Sequence, residues 1–174
     1  MNAVQSFIGS ERGAAGAEMA LMVPMLIILM FGSFEMGHFF WNEHKVVKAV
    51  RDGSRFAARQ PFPKFSCTQA GILIGDGTNT ADNVLITQIK NLTRTGSIAG
   101  TGTVKVRGWT NTQVNVTVSC PGTAVTTGIY KGLTNAPRVT VSATVPYPSL
   151  FKALGFNSTG INLNAQAQSP VMGI

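Results

Sequence analysis

Residues 19–41, MALMVPMLIILMFGSFEMGHFFW, form one apolar run in which Glu35 and His38 are the only ionisable side chains. As a helix, these 23 residues rise about 34 Å, enough to cross the hydrocarbon layer of a bilayer. A cleaved secretory signal would have a shorter apolar core ending at a small-x-small site, and no such site follows here. The run instead passes directly into WNEHKVVKAVRDGSRFAARQ, where Val46, Val47, Val50, Phe56 and Ala57 recur at roughly helical spacing between basic residues. Pro61 and Pro63 end it, because proline removes an amide donor and disfavours helix in the residue before it. A helix over residues 16–60 would be about 65 Å long, a rod suited to packing side by side with copies.

Beyond residues 60–64 the pattern changes. TADNVLITQIKNLTRTG offers Thr80 or Asp82 as N-cap, apolar Val84, Leu85, Ile89 and Leu92 at helical spacing, and Gly96 as stop. A period of two follows, at Val104 and Val106, at Val114, Val116, Val118 and Cys120, at Val139, Val141, Ala143 and Val145, and at Ile161, Leu163, Ala165 and Ala167. Gly108, Pro121, Gly122, Pro137, Pro146 and Pro148 punctuate these runs as turns and edges. The expected fold class is α+β: a long N-terminal helix, then a small antiparallel β-sheet domain with one short helix. The expected divisions are a leader over residues 1–13, a transmembrane and extended helix over 14–60, and a β-rich domain over 64–174.

Only 12% of residues are charged, well below the roughly 25% of ordinary soluble domains. The exposed part of the β-rich domain must therefore rely on Thr, Asn, Ser and Gln, as extracytoplasmic domains do. The formal charge of +7 concentrates in Lys45, Lys48, Arg51, Arg55 and Arg59, directly after the apolar run. That cluster reads as a solvated helix face or a lipid-headgroup contact rather than a nucleic-acid surface. Cys67 and Cys120 are two cysteines in a chain with an export-type N-terminus, and one disulfide is the natural reading. Two unpaired buried thiols are the alternative. Neither cysteine has a CxxC spacing, so no metal is expected.

The sharpest motif is RGAAGAE. Gly13 follows Arg12, and Glu18 stands five residues later on the threshold of the apolar run. A cut after Gly13 would make Ala14 a charged N-terminus about one helical turn from Glu18. An unpaired carboxylate at the edge of a low-dielectric region is costly, and pairing it with an ammonium, its own or that of a neighbouring copy, relieves the cost. A glutamate at a helix start also favours the macrodipole without any such role.

ERGAAGAEMALMVPMLIILMFGSFEMG resembles the N-terminal signature of the TadE-like proteins of tight-adherence (Tad) pilus systems, a branch of the type IV pilus superfamily. The shared features are Arg-Gly, a small-residue stretch, Glu, an apolar helix with the early Pro24, and Glu35 near its end. KAVRDGSRFAAR is similar to the continuation in that family, and VTVSATVPY and NAQAQSPVMG resemble its closing strands. Met19 departs from the pattern, since an aromatic residue is common there. The resemblance implies cleavage between Gly13 and Ala14 by an aspartyl prepilin peptidase. It further implies a single-pass inner-membrane pseudopilin with its C-terminal domain in the periplasm, and other pilin subunits and the Flp pilus assembly machinery as partners. Whether such a subunit also enters the filament stays open.

Glu35 and His38 share a helix face as intramembrane polar residues, and Ser33 with Gly37 forms a small-xxx-small pair that lets a neighbouring helix approach. Glu-x-x-His is a di-iron spacing, but the second motif that such a site needs is missing. GDGTNTAD lacks the ligand spacing of a calcium loop. No histidine follows His44, so a Ser/His/Asp or Cys/His hydrolase cannot be assembled in the C-terminal part. The expectation is therefore a structural subunit with no catalytic residues and no cofactor. The alternative is a single-pass anchored binding domain. Five basic residues after the span oppose a periplasmic domain by the positive-inside rule, while the cysteines and the resemblance favour it.

Overall fold

The computed structural model describes residues 11–65, 71–74, 80–120, 127–132, 136–155 and 160–173. Helix α1, Glu11–Ala58, is 48 residues long and contains Pro24 without a break. The chain divides into two compact units, the second beginning at Phe39. In the first unit the side chains of residues 15–34 are exposed, and α1 is long and apolar enough to cross a membrane. The Ser33 hydroxyl donates to the Leu29 carbonyl at 2.8 Å, so this polar group is satisfied within its own helix.

The second unit contains the last turns of α1, strand β1 (Gly71–Ile74), helix α2 (Thr80–Thr95), and strands β2 (Val114–Cys120), β3 (Arg138–Pro146) and β4 (Asn162–Pro170). The sheet order is β1-β2-β3-β4, and every neighbouring pair is antiparallel. Val116 faces Val141, which faces Ala167, and Val145 faces Leu163, so the valine alternation read from the sequence fixes the register. Val139, Val141, Ala143 and Val145 are buried along β3, and Val114, Val116 and Leu163 extend the same face. Val46, Ala49, Val50 and Ala57 of α1, Leu85 and Ile89 of α2, and Phe65, Val106, Trp109, Tyr147 and Val171 join this core.

The two helices meet at Gly53. A Cβ there would overlap the Thr93 hydroxyl and lie 3.7 Å from Val141 Cγ1, so only glycine lets α1 and α2 approach this closely. The C-terminal segment then closes the unit. The Val171 amide donates to the Pro137 carbonyl at 2.9 Å, and the Met172 amide to the Ala58 carbonyl at 2.7 Å. The second bond satisfies a carbonyl left without a partner at the end of α1.

The α+β class and the single short helix stand as expected. Gly96, at φ +82°, ends α2, and its amide donates to the Leu92 carbonyl at 2.8 Å. The cap residues expected at Thr80 and Asp82 have side chains outside the described residues. Val104 and Val106 do not form a strand. Their segment is tied to α2 by the Lys105 amide donating to the Arg94 carbonyl at 2.9 Å, and it turns at Gly108, φ +81°. The additional strand is β1, whose apolar GILI does not alternate.

Candidate functional site

The described candidate residues lie on α1, except Cys120, which lies at the end of the inner strand β2. Gly13 and Ala14 lie within the first turns of α1, and Glu18 is exposed on that helix one turn beyond Ala14. Glu35 and His38 are half-buried and one turn apart in the first unit. Cys120 closes β2, with Gly71 of β1 as its register partner. Cys67 and most of the GDGTNTAD stretch lie outside the described residues, so the expected cysteine pair and that loop have no described geometry.

In the second unit, α1 turns its core side toward the sheet and a basic face away from it. Asn42, Val46, Ala49, Val50, Gly53, Ser54 and Ala57 are buried, whereas His44, Lys48, Arg51, Arg55 and Arg59 are exposed. His44, Val47, Lys48, Arg51, Asp52 and Arg55 line a groove of about 290 Å³. Steps of three and four residues put these positions on one side of the helix. Asp52 Oδ2 sits 3.8 Å from Lys105 Nζ, which partly matches the one carboxylate of the groove. Desolvation lowers the Lys105 pKa; Asp52 opposes that shift and Lys48 adds to it.

Two features were not read from the sequence. The Asp52–Lys105 pair joins residues far apart in the chain, and no local pattern marks it. The helix crossing at Gly53 did leave a signal: Ala49, Gly53 and Ala57 are small residues four apart, the spacing of a closely approached helix face.

Among the described residues, α1 is the one helix long and apolar enough to serve as a membrane anchor, and a small α+β unit follows it. Residues 13–55 match the family model described as TadE-like protein, so the resemblance read from RGAAGAE and its apolar continuation is shown over that segment. TadE-like proteins are a structural, Tad pilus-associated family. Neither a curated protein nor a solved structure gave a significant match to the chain.

Proposed function

We propose that this protein is a pseudopilin-like structural subunit that helps assemble a Tad-type pilus, after a prepilin peptidase cuts between Gly13 and Ala14. The observation that carries this reading is the TadE-like match, which begins at Gly13 and runs through the apolar helix. Cleavage leaves the Ala14 ammonium at the start of a helix with Glu18 one turn away. In a low-dielectric surrounding that pair neutralises two charges that would otherwise both be costly, within one chain or between neighbours. The exposed apolar face of residues 19–34 then packs on lipid or on other pilin helices.

The α+β unit is the periplasmic part in this reading, held by one span of the inner membrane. Cys67 and Cys120 form an oxidised pair there. Cys120 opposes Gly71 across the sheet, and Cys67 precedes Gly71 by four residues in the sequence. The experiment is complementation. Cells lacking the chromosomal copy and supplied with the Glu18→Ala protein, present in membranes at wild-type level, are expected to lose surface pili. Normal pili in those cells, and in cells lacking the protein altogether, would leave an anchored binding domain as the better account.

A further inference from the structure

The turns of α1 that directly follow the apolar run, in the second unit, carry a second candidate site. Phe40 and Trp41 are 60% and 62% exposed, although both are large aromatic side chains. Their amphipathic or apolar rings at the end of an apolar span mark the level of a membrane–water interface. The basic face begins immediately beyond them. His44, Lys48 and Arg51 follow on the side of the helix turned away from the sheet, and Lys45 Nζ already reaches back over the Trp41 ring at 5.1 Å from its centroid.

That reach is general. Helical side chains lean toward the N-terminus, here toward the membrane. Lys48 is about 10 Å and Arg51 about 15 Å along the axis from Trp41, and extended side chains leaning back shorten both distances by about 5 Å. Both cationic heads therefore come within about one Debye length, roughly 10 Å, of the headgroup layer, whereas Arg55 and Arg59 stay beyond it. The acidic residues nearby do not cancel this field. Asp52 is paired with Lys105, and Glu43 offsets one of the three cations Lys45, Lys48 and Arg51, so the collar keeps a net positive charge.

We infer that this collar binds the phosphate-bearing headgroups of anionic phospholipids, with Lys48 and Arg51 as the selecting residues and Trp41 as the depth marker. The inference rests on the reading of α1 as a membrane anchor. It also gives the post-span basic residues a role that does not depend on which side of the membrane the domain occupies.

The test uses the full chain in bilayers that carry equal mole fractions of brominated phosphatidylglycerol or brominated phosphatidylcholine, read by tryptophan quenching. Trp109 is 1% exposed and contributes a constant background, so Trp41 reports. The expected result is at least about twofold stronger quenching by the anionic lipid, consistent with an attraction per basic residue that acts only near the surface. The preference is expected to fall by more than half in K48Q/R51Q, Lys45 keeping the remainder, and to vanish in 1 M salt, where the Debye length falls to about 3 Å. It is expected to persist in K48R/R51K and in the charge-matched R55Q/R59Q. Equal quenching by both lipids overturns the lipid selectivity while leaving the anchor intact, and so points the collar at an acidic protein partner. Absence of quenching by either lipid overturns the anchor reading and this inference together. Loss of preference in R55Q/R59Q equal to that in K48Q/R51Q overturns the assignment to the collar.

Discussion

Replacing Gly53 by alanine tests whether α1 is held against α2 and the sheet by backbone-close packing. The new methyl would overlap the Thr93 hydroxyl, with Thr93 Cβ at 3.3 Å and Val141 Cγ1 at 3.7 Å. Thr93 is fully buried, and its hydroxyl donates to the Ile89 carbonyl at 2.8 Å, so rotating it away exchanges a satisfied group for an unsatisfied one. Overpacking and the broken bond together cost about 3 kcal/mol, and the better helix propensity of alanine returns about 1 kcal/mol. The net expected loss is about 2 kcal/mol. A Thr93→Ala change removes the obstructing oxygen, so Gly53→Ala introduced in that background should cost less than about 0.5 kcal/mol, a coupling of about 1.5 kcal/mol. The assay is chemical unfolding of the full chain in detergent micelles, followed by Trp109 fluorescence. An unchanged or raised stability in Gly53→Ala, or the same cost in both backgrounds, would refute the crossing at this residue.

Three further outcomes follow from the same packing and chemistry. Val141→Ala, at a fully buried position on an inner strand, should lower stability by about 2 kcal/mol in the same unfolding assay, whereas Thr144→Ala on the exposed face should change it by less than about 0.5 kcal/mol. The depressed Lys105 pKa means that the unfolded chain holds this proton more tightly, so stability should rise with pH between the folded value and the ordinary value of about 10.4. Lys105→Met should flatten that alkaline rise in a pH series of unfolding curves. If Cys67 and Cys120 are joined, the intact mass of the protein should be lighter by two hydrogens before reduction, and reduction should lower stability by as much as about 4 kcal/mol for a loop of this length.

The strands that could be read in advance are those in which valine alternates over several residues. β2, β3 and β4 each repeat an apolar residue every second position, and the pattern carries both strand and register. Val104 and Val106 show that two such residues are too few, because backbone bonds to the end of α2 set that segment instead. β1 was illegible for the opposite reason: GILI is apolar throughout and four residues long, so it has no period to read. The end of α1 was legible to within two residues. Pro61 stops the helix as expected, but the last helical residue is Ala58, and Arg59 and Gln60 finish in a turn through bonds to the Phe56 and Ala57 carbonyls. The motif of Gly13, Glu18 and the apolar run sits within one stretch of chain, so it can be read from local sequence, and the family match begins at Gly13. What α1 packs against was not legible, because the partners Thr93, Lys105, Val141 and Met172 come from distant parts of the sequence.

The central claim is that the chain is handled as a prepilin, and the most direct measurement is N-terminal sequencing with intact mass on protein purified from its native membranes. The account predicts a mature chain beginning at Ala14, with its ammonium free to pair with Glu18. A chain that still begins at Met1 in cells with an active prepilin peptidase would contradict it.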